Sequence, residues 1–405
     1  KSELDRLHSD NIKSVEVITN PGARYAASTK AVIRITTKKI QGEGFGFDAK
    51  TTGEYDEKKN FGGFSQLNMS YRKNGLELGA YAFGAKQYQP NNQDLQQKTY
   101  LDKTWNQKSE IRQVDIVEAM NFRLDASYQL DANNSIGANF GFLRNPKQTC
   151  EANMATEIWQ DDEQTETSDS HANSFEQKST LSSNVYYVGK IGKIGIDFNT
   201  DWLWSKNNED NVTKEQYQEV GMDAQSQTVH SLTDKKYRLL ASRLVLSYPL
   251  LGGELSLGGE YSNTHRTSKY QVVPTNFVSD DDSRITESMA SSFLAYSRDF
   301  GNVSMEAGLR YEHIDFNYYE YGKYVPGQSK SYGNWFPSIS VSMPVGKVQM
   351  QLSYATDIDR PSYYYLRSGI QYDNRYTYET GNPFLVSEIS KNLNYELAYK
   401  WLTFD

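Results

Sequence analysis

The sequence predicts an all-β chain, an antiparallel up-and-down sheet, on three observations. Apolar and polar residues alternate over long stretches, helical spacing is almost absent, and the connections between the stretches are short and long in turn. The segment MNFRLDASYQLDANNSIGANFGF at 120–142 shows the pattern. Met120, Phe122, Leu124, Ala126 and Tyr128 take every second position, and Asn121, Arg123, Asp125, Ser127 and Gln129 take the others. After a break at Asp131-Ala132-Asn133 the beat resumes with Ile136, Ala138, Phe140 and Phe142.

Taken in order, about fourteen strands are expected on this period-2 rule. They lie near 43–55, 62–73, 75–86, 119–130, 134–143, 179–190, 193–205, 236–248, 252–264, 288–299, 302–315, 331–344, 347–359 and 391–402. Two are plain by inspection: Val303, Met305, Ala307, Leu309 and Tyr311 alternate with Ser304, Glu306, Gly308, Arg310 and Glu312. Leu393, Tyr395, Leu397, Tyr399 and Trp401 alternate with Asn394, Glu396, Ala398 and Lys400. Tight turns are expected at Asn74-Gly75, Asp131-Ala132-Asn133, Ile191-Gly192, 249–253, Gly301-Asn302 and 344–346, where Gly, Asn, Asp and Pro supply the reversals. Longer polar connections are expected near 87–118, 144–178, 206–235, 265–287, 316–330 and 360–390; one of the alternate set, near 56–61, is short.

The bulk composition points elsewhere at first. A chain of 405 residues, 37% apolar and of net charge −8, suits a soluble protein of two or three domains. It has no apolar run of about 18 residues, so no helix is expected to cross a bilayer. A membrane strand, however, needs only about ten residues of alternating character. The 30 tyrosines matter more, because such rings collect where an apolar phase meets water. Cys150 is the single cysteine, which excludes an internal disulfide, and the acidic balance argues against a nucleic-acid partner. Both ends read as cut: no signal peptide precedes Lys1, and no visible stop follows Thr403-Phe404-Asp405.

Alternation alone fits either a soluble sandwich or a transmembrane β-barrel with short turns at one end and long loops at the other. Three features favour lipid. The strands have the length of a tilted bilayer crossing, and the polar face mixes Arg, Asp, Glu, Asn and Gly as a wet lumen accepts. Aromatics also sit on the apolar face beside the tight turns: Tyr71 after Leu67 and Met69, Tyr128 after Leu124, Tyr248 after Leu244 and Leu246, and Tyr399 with Trp401. On this reading Met120, Phe122, Leu124 and Ala126 face hydrocarbon, Arg123 and Asp125 the lumen, and Tyr128 the headgroups.

Residues 11–39, NIKSVEVITNPGARYAASTKAVIRITTKK, resemble the end of the plug domain of TonB-dependent outer-membrane receptors, through the pattern I-x-x-V/I-E-V-I-x-N-P-x-A-R/K-Y and a Val/Ile-rich strand ending in T-K-K. Ile12, Val15, Glu16, Val17, Ile18, Asn20, Pro21, Ala23, Arg24, Tyr25 and residues 32–39 fit it. Ala31 stands where many members carry Gly. Gly381-Asn382-Pro383-Phe384-Leu385-Val386-Ser387-Glu388, with the strand after it, is similar to the family's G-N-P-x-L-x-x-E loop, with Ser387 in place of the usual Pro. The resemblance implies a plug end at 1–40 and a partial barrel at 41–405, out of about 22 strands. It further implies import of a scarce nutrient (siderophore, vitamin or oligosaccharide), powered by TonB and its inner-membrane motor. A lipoprotein lid is a further partner in one subgroup. The implied location is the outer membrane of a Gram-negative bacterium, in contact with its lipids.

The candidate ligand contacts are Arg360, Tyr363, Tyr364, Tyr365, Arg367, Tyr372, Arg375, Tyr376 and Tyr378, which crowd the segment before the Gly381-Asn382-Pro383 motif. Aromatic faces stack on sugar or chelate rings, and guanidinium groups hold anions by paired hydrogen bonds. A Tyr-rich interfacial ring is the other reading of these residues. Asn20, Pro21, Arg24 and Tyr25 read either as a moving part of the plug or as a turn. Asp161-Asp162-Glu163 and Asp280-Asp281-Asp282 lack calcium-loop spacing and read as solvated tips. No catalytic motif, cofactor loop or metal-ligand pattern is found, and the five histidines are far apart. A passive porin and a secreted all-β adhesin or glycan-binding module remain the alternatives.

Overall fold

The computed structural model describes residues 12–18, 21–37, 42–56, 60–399 and 402–404. A two-stranded ribbon comes first, β1 (Ile12–Ile18) with β2 (Val32–Thr37). The large sheet follows as β3 (Gly44–Tyr55), β4 (Phe61–Lys73), β5 (Leu76–Tyr100), β6 (Thr104–Gln129), β7 (Ser135–Gln160), β8 (Glu163–Ile191), β9 (Ile194–Glu219) and β10 (Gln225–Leu250). It continues through β11 (Gly253–Val273), β12 (Asp281–Phe300), β13 (Val303–Glu320), the short β14 (Lys323–Tyr324), β15 (Lys330–Val345) and β16 (Val348–Asp359). A small hairpin, β17 (Ile370–Asn374) with β18 (Thr377–Thr380), stands apart before β19 (Glu388–Tyr399) and β20 (Leu402–Phe404). Every strand of the large sheet pairs antiparallel with its neighbour in the sequence, β14 and the separate hairpin aside, and its two edges, β3 and β20, are not paired with each other.

All fourteen expected strands are present in the expected order. The tight turns and the connections at 316–330 and 360–390 are as expected, but four of the long ones are not. The stretches at 87–118, 144–178, 206–235 and 265–287, read as long polar loops, are mostly the outer halves of strands that run on as paired ribbons. β8 alone has 29 residues, about three times what a bilayer crossing needs. Their polar composition hid them, because the outward face meets water and much of the buried inward face is itself polar, as at Thr156, Ser168, Ser170, Thr213, Glu215, Ser231 and Thr233.

Within the crossing portion, the faces are those the alternation predicts. Met120, Phe122, Leu124 and Tyr128 are exposed on the outward face, opposite Arg144, Phe142, Phe140 and Ile136 of β7 in turn. Arg123 turns inward and donates to Asp125 at 2.8 Å. One strand exchanges its faces: between Asn145 and Gln148 of β7 a bulge sets two residues against one of β8. Pro146, which has no N–H to give the ladder, sits in that bulge, where a proline is tolerated. Its carbonyl accepts from Gln177 Nε2 at 3.1 Å.

Tyr71, Tyr128, Tyr248 and Tyr399 are exposed on the outward face at the tight-turn end; Trp401 lies outside the described residues. A second aromatic band, not anticipated from sequence, lies at the opposite boundary: Trp202, Trp204, Tyr261, Tyr311 and Trp335, the last two with ring centroids 4.8 Å apart. From Ile194 to Trp204 on β9 is about 33 Å of strand, or about 23 Å of height at a 45° tilt, close to the apolar band of an outer-membrane wall.

Above this second band the polarity inverts without a bulge. On β13 the outward series Leu309, Tyr311 continues as His313 and Asp315, while the inward series Arg310, Glu312 continues as Ile314, Phe316 and Tyr318, all buried. Below the band lipid lies outside and polar groups line the lumen; above it water lies outside and folded-in chain covers the inner face. The buried apolar clusters sit on that inner face, against residues 21–31 and 360–387. Two stacked apolar faces, the mark of a sandwich, are not found among the described residues.

Candidate ligand site on the inner wall

Two segments occupy the concave side. The first, 21–31, turns at Gly22, whose φ of +70° would strain any side chain, and an added Cβ would lie 2.7 Å from Glu306 Oε1, so that carboxylate would have to shift. Ala23 packs on Val245, Phe293 and Ala295, and Ala27 on Phe336 and Ile358. Gly308 makes room for Ala23, since a Cβ there would lie 2.6 Å from the Ala23 Cβ. Arg24 pairs with Asp197 at 3.3 Å, its carbonyl accepts from Arg243 Nη2 at 3.1 Å, and Arg243 lies over the Tyr25 ring at 5.7 Å. The Ala27 N–H donates to Glu312 Oε1 at 3.1 Å, and the Ile358 N–H to the Ala27 carbonyl at 3.1 Å. A short stretch reaching walls from β9 to β16 requires the sheet to curve around it. Of the predicted turn residues, Pro21, Arg24 and Tyr25 lie on this wall; Asn20 lies outside the described residues.

The second segment, 360–387, leaves β16 and folds back over the inner face of β8 to β15. Arg360 Nη2 donates to Glu312 Oε2 at 2.5 Å, and Arg310 Nε to Glu312 Oε1 at 2.5 Å. The Tyr363 hydroxyl donates to Glu287 at 2.9 Å, and the Tyr318 hydroxyl meets Ser368 Oγ at 2.6 Å. Further across, the Tyr372 hydroxyl donates to Glu215 Oε2 at 2.6 Å and the Arg375 N–H to Oε1 of the same carboxylate at 2.9 Å. Arg375 Nε and the Tyr376 hydroxyl both donate to Glu166 Oε1, at 2.9 and 2.6 Å. Tyr364 and Arg367 share Glu379, and Tyr365 stands exposed, edge-on to Tyr364.

The sequence-predicted cluster is therefore drawn into one inner-face assembly, but much of its hydrogen-bonding capacity is used on four wall carboxylates, Glu166, Glu215, Glu287 and Glu312. Sequence reasoning missed these, since single glutamates inside polar stretches carry no local signal. It also missed Lys235 and Arg266, which with Arg367, Asp281 and Tyr363 line a cavity of about 30 Å³ beneath the segment, large enough for about two waters. Asp281, expected at a solvated tip, is instead buried and accepts from Ser283 at 3.1 Å; Asp280 caps the Val272 N–H and Asp282 pairs with Lys269. A larger cleft of about 430 Å³, open to the outside, is lined by Arg375, Tyr376 and Tyr378 together with Trp105, Phe277, Gln97, Gln107 and Gln227. That size and mix suit a small ring-bearing, polar ligand. No group of three or more carboxylate, His or Cys side chains able to hold a metal occurs among the described residues.

Burial pushes the carboxyls of Asp281 and Glu287 above the ordinary range, and that of Asp373 likewise. Burial, then the bonds to Glu215 and Glu166, push the Tyr372 and Tyr376 hydroxyls up, so both remain donors at neutral pH. Glu379 moves the other way, held down by the Tyr364 hydroxyl and Arg367. A carboxyl whose value is raised when the segment is docked keeps its proton better docked than undocked. That contribution to docking is full below the ordinary carboxylate value and lost as pH rises through the raised one. Glu379 contributes with the opposite sign, so the test is a comparison: between pH 4 and 7 amide exchange in 360–370, corrected for its intrinsic rate, is expected to speed up more in the unaltered protein than in Glu287→Gln. The same pH dependence in both proteins would refute it.

A family model described as "Outer membrane protein beta-barrel family" matches residues 189–404, over half of the chain. Among solved structures, the outer membrane protease OmpT from Escherichia coli is 12% identical over 66% of this chain and 94% of its own, with a TM-score of 0.21. BauA, the ferric preacinetobactin receptor from Acinetobacter baumannii, is 10% identical over 97% and 79%, with a TM-score of 0.27. FyuA, the ferric yersiniabactin uptake receptor from Yersinia pestis, is 10% identical over 96% and 78%, at 0.22. No curated protein sequence matches.

Proposed function

We propose, on the premise that the chain belongs to the outer membrane protein beta-barrel family, that it is the wall and plug end of an active importer in the outer membrane of a Gram-negative bacterium. A scarce small ligand, such as a siderophore, vitamin or oligosaccharide, binds at the outer cleft beside Arg375, Tyr376 and Tyr378. Energy from TonB, reaching the plug, displaces the inner segments so that the ligand passes. The work is binding and gating, with no bond chemistry assigned.

One observation carries this reading. The Glu312 carboxylate receives both the Ala27 N–H of the plug-like segment and the Arg360 guanidinium at the root of the ligand segment. Moving either segment strips a partner from the same buried anion, so occupancy at the cleft and the seating of 21–31 are energetically linked. The sequence likeness of residues 11–39 and 381–388 to TonB-dependent receptors supports the same assignment. The edges β3 and β20 are unpaired among the described residues, unpaired backbone is not tolerated in hydrocarbon, and the barrel of about 22 strands that the likeness implies would cover them. A lipoprotein lid over the outer end is compatible with the exposed ribbons.

The test is uptake by cells that depend on this protein, with and without a protonophore. Import is expected to fall to background once the proton gradient is collapsed, while surface binding of the ligand persists. Uptake that continues unabated would instead assign a passive pore. Recovery of the intact protein in the aqueous fraction without detergent would leave only the adhesin reading.

A further inference from the structure

The outward face just above the second aromatic band carries a concentration of positive charge in a chain of net charge −8. Lys206 of β9 and Lys236 of β10 stand directly opposite each other, and Arg238 stands between Trp204 on one side and His265 of β11 on the other. Like charges set directly opposite cost stability. Among the described residues only Asp234 pairs with them, at 3.8 Å from Lys206 and 3.5 Å from Lys236. Arg238 is exposed and has no ion pair among the described residues. One strand further, Arg284 lies over the Tyr319 ring at 4.0 Å. His265, lowered by burial and by Arg284 and Arg238, stays neutral at pH 7 and adds hydrogen-bonding capacity without charge.

We infer that Lys206, Lys236 and Arg238 form a binding site for the phosphate groups of an outer-leaflet lipid headgroup. Depth argues for a lipid. Lys206 is two residues, about 7 Å of strand, beyond Trp204, and below it Trp202, Leu240 and Leu244 offer an exposed apolar surface for acyl chains. Lys and Arg stems extend along such a surface while their heads reach the phosphate level. Charge argues for phosphate: three cations against one carboxylate leave an excess that a doubly charged monoester neutralises. Position argues against the imported ligand, since these side chains point away from the lumen and its cleft.

The test uses the full chain, folded and purified, in phosphatidylcholine nanodiscs carrying either diphosphoryl lipid A or the same lipid stripped of its phosphates. Bound lipid is counted by native mass spectrometry. The diphosphoryl form is expected to be retained at least ten-fold better, and Lys206→Gln/Lys236→Gln/Arg238→Gln is expected to remove the difference, whereas Lys98→Gln, at the far end of β5, leaves it. Folding of each variant is checked by its gel shift without boiling; if the triple variant does not fold, the two lipids on the unaltered protein decide. Equal retention of both lipids, or an unchanged preference in the folded triple variant, would overturn the inference. Displacement of the lipid by millimolar inorganic phosphate would also overturn it, by assigning the site to the free anion.

Discussion

Glu312→Ala is expected to destabilise the folded protein by about 3–5 kcal/mol, the cost of leaving buried charge without its partner. Arg310 and Glu312 are both about 1% exposed at their side chains, and Arg360 reaches the same carboxylate from the ligand segment. Removing the carboxylate strands the Arg310 charge against Glu260 alone and frees the Ala27 N–H. The loss would be read as a lower denaturant midpoint in detergent. Segments 21–31 and 360–367 should become protease-sensitive together, because one group holds both. Arg310→Met/Glu312→Leu is expected to recover only part of the loss, since it removes the stranded Arg310 charge but still takes these partners from Glu260, Arg360 and the Ala27 N–H. A cost below about 1 kcal/mol, the size of an exposed pair, would mean that the two segments are seated independently.

The second large effect tests the lipid face itself. Leu244 lies midway along the outward series Tyr248, Leu246, Leu244, Ser242, Leu240 of β10 and is exposed. Leu244→Arg puts a charge near the bilayer midplane and should cost about 2–4 kcal/mol, whereas Leu250→Arg, at the tight-turn end, should cost only about 0–1 kcal/mol. Refolding into lipid vesicles followed by gel shift without boiling would measure both. Equal tolerance at the two positions would place water, not lipid, against this face.

How far the sequence could be read depended on which solvent each stretch met. Where lipid lay outside and water inside, as along Val303 to Glu312, alternation gave the strands, their order, the tight turns and the outward residues correctly. Above the second aromatic band the rule broke, because His313 and Asp315 meet water while Ile314, Phe316 and Tyr318 meet folded-in chain. The apolar set changes phase there with no bulge, and a window tuned to one phase reads the change as the end of the strand. The strand halves at 206–235, polar on both sides, gave no periodic signal at all.

The site divides the same way. The crowding of Tyr and Arg at 360–378 was visible because it is local. Which carboxylates they meet was not, since Glu166, Glu215, Glu287 and Glu312 lie 48 to 210 residues away from their partners. Period and composition are properties of neighbours along the chain, and these the sequence determined unaided: an antiparallel wall with one oily face. Curvature is a property of the whole sheet, and only it could bring residues 21–31 and 360–387 onto one inner surface and give Glu312 to both.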